Sequence, residues 1–151
     1  MGDSVASGKS GKSKKGKNEQ PSTGEFTFTD GSTYSGDFAV VNGTKMRQGL
    51  GTYTSARESY TGGWEKDLQS GEGTYRFNSG SVYEGSFSQG AFHGNGKYTF
   101  PDGAFYEGEW NMSKMHGQGS YTDPKQQVYA GTFYNGLYDN GVSYVSVRTE
   151  Q

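Results

Sequence analysis

No cysteine and no isoleucine occur in the 151 residues, and leucine appears only at Leu50, Leu68 and Leu137. Without cysteine there is no disulfide framework, no thiolate nucleophile and no zinc-finger site. A small domain with no staples fits an intracellular setting better than an oxidising one. No apolar run approaches the length of a membrane-crossing helix. The first residues lack the apolar core of a signal peptide, so a secretory route is not expected. Leu, Ile, Val and Phe together make only 20 residues, which in a highly charged chain would read as disorder. This chain differs, because its net charge is only −2 and aromatics reach 15%. Its 26 glycines are spread along the chain rather than clumped. Large rings set across from glycine can still bury a useful area.

A period governs the chain. The pattern Tyr-x-Gly-x-(Phe/Trp) starts at Tyr34, Tyr60, Tyr83, Tyr106 and Tyr129, at intervals of 26, 23, 23 and 23 residues. Eleven residues after the tyrosine of each middle repeat comes Gly-x-Gly-x-Tyr, at Gly71–Tyr75, Gly94–Tyr98 and Gly117–Tyr121. In the first repeat the second pattern is Gly49–Tyr53, displaced by four residues inserted around Val41 to Lys45. A longer turn is the expected home of that insertion.

Both patterns alternate with period two, the mark of a strand with unlike faces. Tyr106, Gly108 and Trp110 should share one face, with Glu107 and Glu109 on the other. By the same count Gly94, Gly96, Tyr98 and Phe100 should lie together. Glycine weakens a strand interior, so its repetition implies room left for a ring from the next strand. Turn residues such as Asn78–Gly80 and Pro101–Gly103 separate the patterns. The fold expected is all-β: an elongated single-layer antiparallel meander of ten or eleven strands, in about five hairpin repeats over residues 23–147.

Residues 1–22 are of another composition, Lys, Gly and Ser without periodicity. The first twenty carry five lysines against Asp3 and Glu19, leaving nine basic and fourteen acidic residues for the rest. A disordered solubilising tail is the plain reading. Alternatively Lys9, Lys12, Lys14, Lys15 and Lys17 form an electrostatic foot on an anionic surface such as lipid.

Enzyme readings fail on their own chemistry. Gly8-Lys9-Ser10 and Gly11-Lys12-Ser13 resemble the end of a phosphate-binding loop, but the preceding glycine it needs is missing. His93 and His116 are the only histidines and hold equivalent places one repeat apart, too distant to share one metal ion. Glu107 and Glu109 face water, with no apolar pocket to separate their acidities as a glycosidase pair requires. Rows of rings on a sheet can stack RNA bases, but such sheets set positive charge around the rings and this array is net negative. No catalytic residue, metal or cofactor is implied, and nucleic acid is not an expected partner.

Tyr106 to Tyr121 (YEGEWNMSKMHGQGSY) closely resembles the MORN repeat, and Tyr83 to Tyr98 nearly as well. The resemblance spans roughly residues 24–144. In the last unit Asn140 and Val142 stand where Gly-x-Gly belongs, as in a capping repeat. The resemblance implies a protein-binding scaffold or structural subunit, of a ciliary, flagellar or other cytoskeletal assembly such as a radial spoke. The implied location is cytoplasmic, on the cytoskeleton or in a cilium. A peripheral membrane module using the lysine tail is the alternative it allows. The aromatic–glycine face is the expected docking surface for a protein partner, with Tyr75, Phe87, Tyr98, Phe100 and Trp110 as its anchors.

Overall fold

Glycine and aromatic residues alternate at fixed offsets, and the chain responds with a run of hairpins. The structure, a computed structural model, describes residues 22–148. The strands are β1 (Ser22–Thr27), β2 (Thr33–Val41), β3 (Thr44–Thr54), β4 (Ser59–Glu65), β5 (Leu68–Arg76) and β6 (Val82–Ser88). They continue as β7 (Ala91–Thr99), β8 (Phe105–Asn111), β9 (Lys114–Thr122), β10 (Val128–Tyr134), β11 (Leu137–Asp139) and β12 (Tyr144–Val145). All twelve lie in one antiparallel sheet in chain order. The two-residue β12 is the element beyond the ten or eleven expected. Residues 1–21, with the expected tail and its Lys9, Lys12, Lys14, Lys15 and Lys17, lie outside the described residues.

Within each hairpin the tyrosines stand in register, Tyr60 opposite Tyr75, Tyr83 opposite Tyr98 and Tyr106 opposite Tyr121. Tyr34, Tyr60, Tyr83 and Tyr106 are each at most 1% exposed. Every one of their rings lies over the second glycine of the facing Gly-x-Gly. A methyl group at Gly73 would stand 2.6 Å from Tyr60 Cε2, and one at Gly119 2.5 Å from Tyr106 Cζ. The glycines therefore make room for neighbouring rings, as expected.

The first glycine of Gly-x-Gly does something else, which corrects the facing expected for Gly94. The register slips between Gly85 and Phe87, so that Phe87 pairs with Phe92, and residues 93–95 bulge out. Gly94 turns into the left-handed region with φ 86°, and a Cβ there would meet Ser86 on the polar face. Gly49 (φ 104°) and Gly117 (φ 61°) hold the equivalent bulges, against Asp37 and Glu109. Strict alternation predicts a shared face only where the ladder is unbroken.

The insertion in the first repeat also differs from expectation. Its turn, Asn42-Gly43, is as short as the others, with Val41 opposite Thr44. The extra residues lengthen the strands: β2 has 9 residues where β4, β6, β8 and β10 have 7, and β3 has 11 where β5, β7 and β9 have 9. A two-residue turn with both φ positive matches the twist of the flanking strands, so added length goes into the ladder.

The same turn type recurs at Lys66-Asp67, Gln89-Gly90, Met112-Ser113 and Asn135-Gly136, with both residues of each at positive φ. The second turn residue reaches into the preceding repeat: Gly90 N–H donates to Gln69 O at 2.9 Å and Ser113 N–H to Phe92 O at 2.9 Å. Met112 has no side-chain reason for its left-handed φ of 48° and is 62% exposed. Met112→Asn is expected to stabilise the array by about 0.5–1 kcal/mol, because asparagine accepts this conformation at lower cost. Thermal unfolding followed by circular dichroism would show a midpoint raised by a few degrees; an unchanged or lowered midpoint would contradict the strain.

Candidate functional site

A single sheet has no second layer, so its buried core and its apolar surface share one face. The core is a continuous chain of edge-to-face rings. Tyr83 meets Phe87 at 5.0 Å and Trp110 of the next repeat at 5.5 Å; Tyr106 meets Trp110 at 5.0 Å and Phe133 at 4.9 Å. Such pairs add about 0.5–1.5 kcal/mol each beyond the area they bury. Polar ends are satisfied on the backbone. Tyr34, Tyr60, Tyr83 and Tyr106 donate their hydroxyls to the carbonyl three residues on, at 2.6, 2.8, 2.8 and 2.8 Å. Trp64 and Trp110 donate Nε1–H to the carbonyls of Gly51 (3.1 Å) and Gly96 (3.0 Å). Glycine thus serves a third purpose, as an uncovered carbonyl beneath the indole.

Above this floor runs an open groove of about 750 Å³. Tyr75, Phe87, Tyr98, Phe100 and Trp110 all line it. Their surroundings differ. Phe87 (5% exposed) and Trp110 (7%) are floor, while Tyr75, Tyr98 and Phe100 are half-buried and keep surface to offer. Two further rings line the same groove and were not anticipated. Phe77 lies 4.4 Å from Tyr75, and Phe92 stacks on Tyr83 at 3.9 Å with planes 9° apart. Phe77 was reachable from the period, being 23 residues before Phe100. Phe92 was not, since that place holds Gln69 in the repeat before and Met115 in the repeat after.

Burial raises the pKa values of the floor tyrosines. Tyr34, Tyr60 and Tyr106 are each pushed up to about 12, with desolvation the leading cause, and Tyr83 goes higher for the same reason. Tyr75 is raised by burial first and then by Glu58, whose carboxylate accepts its hydroxyl. None of these five tyrosines is tuned toward a base or nucleophile at neutral pH.

The opposite face is polar and structural. Asp37 Oδ2 accepts Leu50 N–H at 2.9 Å, and Glu109 Oε2 accepts Gln118 N–H, so each carboxylate ties down a bulge. Glu107 stands opposite Lys97 in the ladder. His93 is exposed and His116 lies 5.6 Å from the Tyr134 ring. Among the described residues no three His, Asp or Glu side chains converge to hold a metal ion.

The chain's last described residues lie across the array. Val147 packs against the buried cluster, Ser146 lines the groove, and Arg148 sits over Phe100 with its guanidinium 3.7 Å from the ring centroid. Nothing in the repeat pattern announces this return, because residues 144–148 belong to no repeat.

No curated protein matches the chain. The family model described as MORN repeat matches residues 45–57, 60–82, 83–105 and 106–128, more than half of the chain, in step with the tyrosine ladder. The chain belongs to the MORN-repeat family, whose modules are generally protein- or membrane-binding scaffolds.

Proposed function

We propose that this chain is a non-catalytic scaffold that docks a protein segment along its aromatic groove, as a subunit of a ciliary, flagellar or other cytoskeletal assembly. What supports the reading is the groove itself. Half-buried rings from two consecutive repeats line one trough over the Phe87 and Trp110 floor, and among the described residues no second layer covers it. Apolar surface of this kind on a charged, soluble-type chain marks an interaction site. The anchors with area still to bury are Tyr75, Phe77, Phe92, Tyr98 and Phe100, and affinity should concentrate in a few of them. The ciliary or cytoskeletal setting rests on the resemblance of the repeats alone.

The test compares faces. Phe77→Gln and Tyr98→Gln change the groove; Glu84→Gln and Glu107→Gln change the exposed polar face of the same sheet. Variants whose circular dichroism matches wild type would be used as bait in extract from ciliated cells. The groove variants are expected to lose at least about tenfold of the specific partner, with the polar-face variants unchanged. Loss confined to the polar-face variants would assign docking to the other side of the sheet.

A further inference from the structure

Arg148 is held from three sides. Phe100 provides the flat contact, Nη1–H donates to Tyr121 Oη at 3.0 Å, and Nη2–H donates to Asp102 Oδ2 at 3.1 Å. The seat is built by the repeat rather than by Arg148. Phe100 and Tyr121 are ladder rings 6.2 Å apart, and Asp102 is fixed by its turn, where Oδ1 accepts Ala104 N–H at 3.0 Å. That N–H, and Arg148 after it, lower the pKa of Asp102 and favour its ionised carboxylate. Oδ2 is left pointing at the cation.

The seat discriminates by position and by chemistry. One repeat earlier, Phe77 and Tyr98 form a similar pair at 5.8 Å, but Ser79 stands in place of Asp102 and bonds to Ser81 instead. No carboxylate completes it. At the other end of the array Arg47 lies 4.2 Å above Trp64 and pairs with Asp67 at 2.6 Å. Two of the chain's four arginines therefore lie flat on this face, each with a carboxylate. A guanidinium can stack on Phe100 while its separate N–H groups reach Tyr121 and Asp102; an ammonium cannot do both.

Resting on the docking reading above, we propose that the Phe100–Tyr121–Asp102 seat binds an arginine of the docked protein segment. Arg148 occupies the seat until that arginine displaces it. Charge favours such a partner, since beyond the first twenty residues the chain carries fourteen acidic residues against nine basic. Tethered in the same molecule, Arg148 competes at a high effective concentration, so the free groove is partly closed at this end.

The probe is a fluorescein-labelled peptide, VSVRTE, repeating residues 145–150 in trans, read by anisotropy against full-length protein. Arg148→Ala is expected to bind it at least about tenfold more tightly than wild type. Adding Asp102→Asn should abolish that gain, and a peptide with lysine for arginine should bind about tenfold more weakly. Matching circular dichroism and melting temperatures would show the variants folded. Equal binding by wild type and Arg148→Ala, or no binding by either, overturns the seat. Peptide binding that ignores Asp102 and its own arginine also overturns it, yet leaves groove docking standing. Failure of groove docking would show instead as partner capture insensitive to Phe77→Gln and Tyr98→Gln.

Discussion

Gly108→Val is expected to abolish cooperative folding of the central repeats, while Glu107→Val leaves the melting temperature within a degree or two of wild type. The residues are adjacent in β8, yet they meet different surroundings. A Cβ at Gly108 would lie 2.6 Å from Gln118 O and 2.9 Å from Tyr106 Oη, and closer still to the Gly119 Cα. Two of these obstacles are backbone in the paired strand, and the third is a hydroxyl fixed to Glu109 O. None can swing aside without parting β8 from β9. Moving the strand would lift Tyr106 and Trp110 off their partners in the neighbouring repeats. Steric and packing losses together place the cost above about 4 kcal/mol, a large share of a domain's stability. Glu107 is exposed and faces only Lys97 and Ser120 across the ladder. A branched side chain suits that place, so the change should stay within about 0.5 kcal/mol. Differential scanning calorimetry of both variants decides it. Similar melting curves would mean that Gly108 does not pack as described.

The contrast between these neighbours was legible in the sequence because period two assigns faces wherever the ladder is regular. The same logic gave the tyrosine ladder and the rings over glycine. It failed at Gly94, where a bulge reverses the face, since a slip in register leaves no mark except a glycine that alternation explains equally well. The insertion was visible, but its distribution into β2 and β3 follows from turn stereochemistry. Phe92 escaped because its position takes a different residue in each repeat. Arg148 escaped for a deeper reason: it touches Asp102, 46 residues away, through a contact that no repeated unit makes. Periodicity predicts what repeats; the ends of an array are where it has least to say. The hydroxyl contacts of the tyrosines lie between these cases. A repeated tyrosine where phenylalanine would pack as well hints at a polar duty, but not at its partner.

That duty sets a limit on the alkaline side. The fold is expected to collapse cooperatively between pH 10 and pH 12, with tyrosinate absorbance and loss of sheet signal rising together. Unfolded tyrosine ionises near 10. In the sheet Tyr34, Tyr60 and Tyr106 are pushed up to about 12, because burial disfavours the phenolate. A folded value above the unfolded one means that the folded chain holds its protons longer. The contribution is whole below pH 10 and is lost as pH rises through about 12. Raised values at all three tyrosines make this contribution a sizeable part of a domain's marginal stability. Tyr60→Phe separates the hydroxyl from the ring. At pH 7 it should cost about 1–3 kcal/mol, because the Gly63 carbonyl loses a donor at 2.8 Å in a buried place. The variant also has one fewer phenol to ionise, so the gap to wild type should narrow above pH 10 and close near pH 12. Denaturant titrations at pH 7, 10 and 11.5 measure that gap directly. If the tyrosines titrate near 10 with the sheet signal intact, or the gap stays constant with pH, then the phenols are not sealed beneath the groove.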